Sequence, residues 1–135
     1  MIDYLDSAEN ITAGQLHGFF VGWPDPPAPD VHLRLLRNSD AVVLAQDTAT
    51  GQVVGFITAI TDGVLAAYIP FLEVLPAYQH QGIGQTLVRR MLERLQNLYM
   101  IDLLCDADVQ SFYEQLEMHP AMGMCARNFE RQSGQ

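Results

Sequence analysis

Two features of this 135-residue chain have residue types and spacings suited to chemistry: a glycine turn at Gly82 and Gly84, and a lone carboxylate, Glu73, inside an apolar run. The segment Pro76-Ala-Tyr-Gln-His-Gln-Gly-Ile-Gly-Gln-Thr-Leu87 leaves a strand-like run, tightens through the two glycines and enters a helical pattern. Glycines let the backbone approach a ligand closely and adopt dihedrals that other residues avoid. The first turn of a helix offers unpaired N–H groups and partial positive charge, so the turn suits a phosphate. Local charge agrees, since no acid occurs from Leu75 to Leu92, where the chain's average density predicts about two. A plain structural turn remains the competing reading of the spacing alone. A Rossmann turn needs a third glycine where Leu87 stands, and a Walker A loop needs a lysine, which the chain lacks.

Glu73 lies four residues after Ile69, two after Phe71 and two before Leu75, so on an extended strand it shares their face. Desolvation on such a side raises a carboxyl group's pKa toward neutrality, which suits a general base. If the strand bulges or frays there, Glu73 simply meets water. Other chemistries find less support. His17, His32, His80 and His119 show no metal-ligand spacing, and Ser111 has no His and Asp in a recognisable order. Cys105 and Cys125 form no CxxC pair and read as buried thiols. The six methionines are expected mostly on core faces.

Composition bounds the setting. Apolar residues are 49% and charged residues 17%, which favours one globular domain over residues 1–135. Sixteen acids face seven bases, all arginine, for a net charge of -9, which argues against nucleic acid and anionic membrane as partners. The opening MIDYLDSAEN is acidic where a signal peptide would be basic, and no run is long enough to span a membrane, so a soluble, cytoplasmic protein is expected.

The elements that must position these groups follow from periodicity. Residues 2–5 suit a short first strand. Thr12-Ala-Gly-Gln15 is a capping-box pattern opening a helix with Leu16, Phe19 and Phe20 on one face. The proline run from Trp23 to Asp30 reads as a stiff loop before a second helix at about Val31 to Arg37. Runs at 40–46, 53–61 and Leu65 to Leu75, separated by turn residues, predict three adjacent antiparallel strands. Ile83, Leu87, Met91 and Leu95 recur every four residues and predict an amphipathic helix. Met100 to Cys105 suits a short buried strand, Val109 to Leu116 another helix, and Gly123 to Phe129 a last strand. The order describes an α/β (α+β) fold with a mixed, mostly antiparallel central sheet flanked by helices. Exposed sheet edges admit a homodimer.

Gln79-His-Gln-Gly82-Ile-Gly84 resembles the Gln/Arg-x-x-Gly-x-Gly/Ala motif of the GNAT superfamily of acyl-CoA-dependent N-acetyltransferases. Leu72-Glu-Val-Leu-Pro76 looks like that family's fourth strand and its exit, and Asp106 through Tyr113 to Leu116 like its later helical segment. The resemblance covers roughly residues 53–118 and implies acetyl-CoA as co-substrate, with no metal. It implies a pyrophosphate held by backbone amides from about Gln79 to Gln85, with His80, Gln81, Gly82, Ile83, Gly84 and Thr86 among the contacts. It implies a pantetheine arm pairing with the strand ending at Val74 and Leu75. Glu73 is then the base that deprotonates the amine. Tyr113 matches the position whose hydroxyl protonates or hydrogen-bonds the coenzyme sulfur, although it also fits a core stripe. Asp106 stands where many relatives carry asparagine; it is counted among the coenzyme contacts, with a structural role the plainer reading. Glu117 replaces a glycine that supplies a left-handed cap, so strain or a shifted helix end is expected. Phe20 and Trp23 would form one wall of the acceptor site, beside Asp25 and Asp30, suiting a small-molecule primary amine. A non-catalytic acyl-CoA sensor or interaction module is the alternative, and a scaffold with a purely structural turn a third.

Overall fold

The computed structural model describes all residues, Met1 to Gln135. Its centre is a six-stranded sheet formed by β1 (Ile2–Leu5), β2 (Ala41–Asp47), β3 (Val53–Thr61), β4 (Ala66–Tyr68), β5 (Leu72–Val74) and β6 (Met100–Asp102). The order is β1-β2-β3-β4-β6, with β5 pairing β3 alongside β4. Every pairing is antiparallel except β4 with β6, which is parallel. β2 and β3 carry the continuous apolar runs expected of strands covered on both faces, and Val43, Leu44, Phe56 and Ile57 are fully buried.

Two layers cover the sheet. Helix α2 (Ile83–Arg94) lays Ile83, Leu87, Val88 and Met91 on one face. It approaches so closely that a Cβ added to Gly55 would sit 3.1 Å from the Leu87 side chain. The opposite face carries helix α1 (Pro29–Asn38), which begins on a proline with Asp30 in its first turn and ends beside Arg37. There, Phe19, Phe20, His32, Phe56 and Phe71 form an aromatic cluster.

Several expected elements differ. The capping box at Thr12 forms, since Gln15 Oε1 accepts from the Thr12 N–H at 2.9 Å, but it opens only one turn of 3-10 helix, Ala13–Gln15. Gly18, Phe20 and Gly22 then take positive φ (94°, 62° and 84°), which no helix tolerates. Leu16, Phe19 and Phe20 are buried all the same. The expected strand from Leu65 to Leu75 divides into β4 and β5, because Pro70 has no N–H for the ladder. The buried strand expected at Met100 to Cys105 is the three-residue edge strand β6, with Met100 40% exposed.

The last strand, Gly123 to Phe129, is absent. Residues 118–128 form no regular element and pair with no strand, and a 3-10 turn follows at Phe129–Arg131. Cys125 is exposed and Cys105 half-buried, and of the six methionines only Met91 is buried, so neither set is core as expected.

Candidate functional site

The glycine turn folds as its spacing predicts, a tight turn leading from a strand into a helix. After the 3-10 turn Pro76–Tyr78, His80 and Gly82 both adopt left-handed φ, 64° and 84°, and α2 starts at Ile83. From His80 through Gln85, six consecutive backbone N–H groups donate no hydrogen bond within the chain; the next to do so is that of Thr86, to Gly82 O at 3.1 Å. Successive unpaired N–H groups in a turn, at the positive end of a helix, form an anion-binding concavity. The Thr86 hydroxyl also caps Gly82 O, at 2.9 Å, so its side chain is committed to the helix start.

This concavity opens into a cleft of about 810 Å³ between β5, the first turn of α2, and helix α3 (Gln110–Glu114). The cleft exists because two strands part. β6 pairs with β4 and accepts one further bond, from Ile69 N to Asp102 O at 2.9 Å. Beyond that point nothing pairs with the outer edge of β5. Antiparallel alternation fixes which groups of β5 face it. Leu75 N bonds Val54 O and Thr58 N bonds Phe71 O, so the groups of Phe71, Glu73 and Leu75 point to β3 and those of Leu72 and Val74 point into the cleft. Gln79 Nε2 reaches Val74 O at 2.9 Å, tying turn to strand. Leu75 is therefore a core residue, 8% exposed with its N–H committed, and Val74 carries the open edge.

Of the residues singled out from the sequence, Glu73, Val74, Gln79, His80, Gly82, Ile83, Gly84, Gln85 and Tyr113 line this cleft together. Gln81 and Thr86 belong to the same turn without lining it, and Asp106 lies exposed at the start of a separate 3-10 turn, Ala107–Val109, outside the cleft. Leu72, Tyr78, Val109 and Phe112 line it as well and were not singled out as site residues. Phe112 was visible only as a core-type position on its helix. It closes over the turn, its ring 3.5 Å from where a Cβ on Gly84 would stand. Tyr78 donates to Asp47 Oδ2 at 2.7 Å, which lowers the Asp47 carboxyl and raises the Tyr78 phenol from their ordinary pKa values.

Glu73 is half-buried and does not merely meet water, although the strand before it breaks. Its two carboxylate oxygens accept from Phe20 N at 2.8 Å and Val21 N at 3.2 Å. The carboxylate thus holds the left-handed turn of the first loop against the sheet, and Glu73 is among the residues that line the cleft. Phe20 contributes backbone there; its ring is 4% exposed and belongs to the aromatic cluster. Trp23 packs against Phe20 with ring centroids 4.9 Å apart and planes tilted by 55°, it is 38% exposed, and neither residue lines the cleft itself. Across the cleft, burial raises the Tyr113 phenol to about 12, with the nearby Cys105 a lesser cause. Glu117 takes φ 67° after α3, so the strained cap forms in place, with Met118 N bonding Tyr113 O.

No helix is long and apolar enough to cross a membrane. Residues 8–118 match the Acetyltransferase (GNAT) family. The fold superposes on the crystal structure of a candidate acetyltransferase from Deinococcus radiodurans R1 with a TM-score of 0.95 and 45% identity, over 98% of this chain and 92% of that one. A GNAT-family acetyltransferase from Streptococcus pneumoniae gives 0.76 and 28%, over 95% and 98% of the two chains. In sequence, the chain is 30% identical over 118 residues to the uncharacterised N-acetyltransferase ycf52 of Pyropia yezoensis, covering 84% of this chain and 68% of that protein. A parted β-sheet beside a glycine turn, together with these matches, makes the chain a member of the GNAT N-acetyltransferase family.

Proposed function

We propose that this N-acetyltransferase moves an acetyl group from acetyl-CoA to the primary amine of a small molecule by direct transfer, with Glu73 as base and Tyr113 at the leaving sulfur. Family membership implies acetyl-CoA as the donor. The observation that carries the reading is the run of six unpaired N–H groups from His80 to Gln85 at the mouth of the β5 cleft. Those donors fit a pyrophosphate, and the free N–H of Val74 fits an amide of an extended pantetheine arm. The acyl donor supplies a thioester carbonyl; the chain's residues manage the protons.

Glu73 takes the proton of the attacking amine as the C–N bond forms and the C–S bond breaks. Each of its oxygens accepts one backbone N–H, leaving a second lone pair for that proton. Tyr113 donates a hydrogen bond to the departing sulfur. A phenol held near 12 is a weaker acid than a thiol, so Tyr113 stabilises the thiolate without giving up its proton outright. Val21, 59% exposed, and Trp23 stand on the loop that Glu73 anchors, and they support an apolar-bodied amine as acceptor.

Thiol release from acetyl-CoA, screened over polyamines, amino acids, aminoglycosides and peptides, tests the acceptor. A small amine should give the highest kcat/KM; preference for a protein substrate would overturn that part. With the best acceptor, Glu73→Gln should lower kcat by roughly 100-fold or more, and Tyr113→Phe by roughly 10-fold, while acetyl-CoA affinity changes little. Wild-type turnover in either variant removes that residue from the mechanism.

A further inference from the structure

The turn that carries the six unpaired N–H groups has little of its own to hold it. Leu75, just after β5, and Ile83, at the start of α2, are both buried. Residues 76–82 cross between them, and all but Tyr78 are exposed. Their backbone bonds are local: Tyr78 N to Leu75 O at 2.9 Å and Gln79 N to Pro76 O at 3.4 Å. The Gln79 side chain reaches back only to Val74 O. His80 and Gly82 add two left-handed bends, and His80 has a Cβ that resists its bend. Left to local bonds alone, such a stretch samples many shapes. An anion site works best when its donors are aimed before the ligand arrives.

One hydrogen bond ties this stretch to a distant element. The Tyr78 hydroxyl donates to Asp47 Oδ2 at 2.7 Å, across 31 residues of sequence. A hydroxyl on a carboxylate at that distance belongs to the stronger, charge-assisted class. Asp47 is itself fixed. It ends β2, its Oδ1 accepts from Ala49 N at 2.9 Å, and its carbonyl accepts from Gly51 N at 2.8 Å in the turn that leads to β3. Gly51 O then accepts from Gln15 Nε2 at 2.8 Å and Gln46 Nε2 at 2.9 Å, so the hairpin tip is braced from two sides.

We propose that Asp47 and Tyr78 are positioning residues for the donor site. The hairpin holds Tyr78, and Tyr78 holds the turn so that the N–H groups of His80 to Gln85 converge on a pyrophosphate. This rests on the function proposed above, in which those groups bind the phosphates of acetyl-CoA. Tyr78 lines the cleft and Asp47 does not, so Asp47 acts through Tyr78. A carboxylate is the wrong charge to place near a phosphate, so the hydrogen bond and not the charge accounts for Asp47 here. An asparagine would keep both links, its oxygen accepting from Ala49 N and its NH₂ donating to the Tyr78 oxygen; an alanine would keep neither.

Calorimetric titration of the full chain with acetyl-CoA and with acetylated pantetheine, which lacks the phosphates, tests the proposal. The unaltered chain should bind acetyl-CoA more tightly. Tyr78→Phe keeps the ring and removes only the hydroxyl. It should weaken acetyl-CoA by roughly 10-fold and change acetylated pantetheine by less than about 2-fold. Asp47→Ala should do the same, and the double variant should lose no more than either alone, because both break one link. Asp47→Asn should bind acetyl-CoA at least as tightly as the unaltered chain. If Asp47→Ala does not fold, Tyr78→Phe and Asp47→Asn decide. Unchanged selectivity in Tyr78→Phe, equal weakening of both ligands, additive losses in the double variant, or loss of affinity in Asp47→Asn would each overturn the positioning role. Equal affinity of the unaltered chain for the two ligands would instead sink the phosphate reading itself, and the positioning role with it, before any substitution is made.

Discussion

Glu73 has one observed role and one proposed role, which a single substitution would mix. Its carboxylate anchors the N–H groups of Phe20 and Val21, and as a residue lining the cleft it is proposed to take the amine's proton. A glutamine keeps one acceptor oxygen but would turn an NH₂ toward one of those donors, so the loop should loosen as well as the base disappear. Measuring the pH dependence of kcat/KM separates the two, because loss of a base removes the acidic limb whereas a loosened loop lowers the whole profile. His32 shows the opposite situation, a titratable group kept from titrating. It is 1% exposed among Phe19, Phe20 and Phe56, and neither ring nitrogen has a hydrogen-bond partner. Burial lowers its pKa from 6.5 to about 4. Between those values the unfolded chain binds the proton and the folded chain does not, so stability falls as pH drops from above 6.5 through 4. The loss reaches about 3 kcal/mol. Urea unfolding of His32→Leu should show a flatter dependence from pH 7 to 4 than the parent; equal slopes would mean that other groups carry the acid sensitivity.

At the scale of elements, what the sequence made legible was whatever a local rule governs. The period of α2, the apolar runs of β2 and β3, and the glycine turn are each set by neighbours within a few residues, and each stands as expected. What failed depended on distant contacts. Leu16, Phe19 and Phe20 are spaced as a helix face, yet they are buried from an irregular loop because Glu73, 53 residues away from Phe20, fixes its backbone. The segment from Gly123 to Phe129 was expected as a strand, but a strand forms only when another edge accepts it. The candidate site was readable in Gly82, Gly84 and Glu73, whereas Phe112 and Tyr78 entered through packing that no spacing announces. The turn also supplies its own test. A Cβ at Gly84 would aim at Phe112 and Val74, 3.5 and 3.8 Å away, inside the cleft. Gly84→Val should therefore weaken acetyl-CoA binding by at least ~10-fold, with thermal stability changed by only ~1 kcal/mol, because the added methyls fill ligand space. Unchanged affinity would place the ligand elsewhere.

Across the whole molecule, charge and topology converge on one end of the sheet. A chain of net charge -9 would repel a polyanion almost everywhere, yet it carries no acid from Leu75 to Leu92 around the unpaired amides of the turn. Two arginines are committed to backbone carbonyls elsewhere: Arg37 to Ala8, Glu9 and Ile11, where it holds the first loop to α1, and Arg94 to Val42, where it holds α2 to the sheet. No arginine lines the cleft, so under the proposed function the groups that would bind an anion there are backbone N–H groups. Calorimetric titration with three ligands tests that claim most directly: acetyl-CoA, acetylated 4′-phosphopantetheine and acetylated pantetheine. Binding should be micromolar for acetyl-CoA and should weaken stepwise as phosphate is removed, by roughly 10-fold or more at each step. Equal affinity for all three would contradict an anion site at His80 to Gln85, and no binding of acetyl-CoA at millimolar concentration would mean that the fold has been kept without its donor.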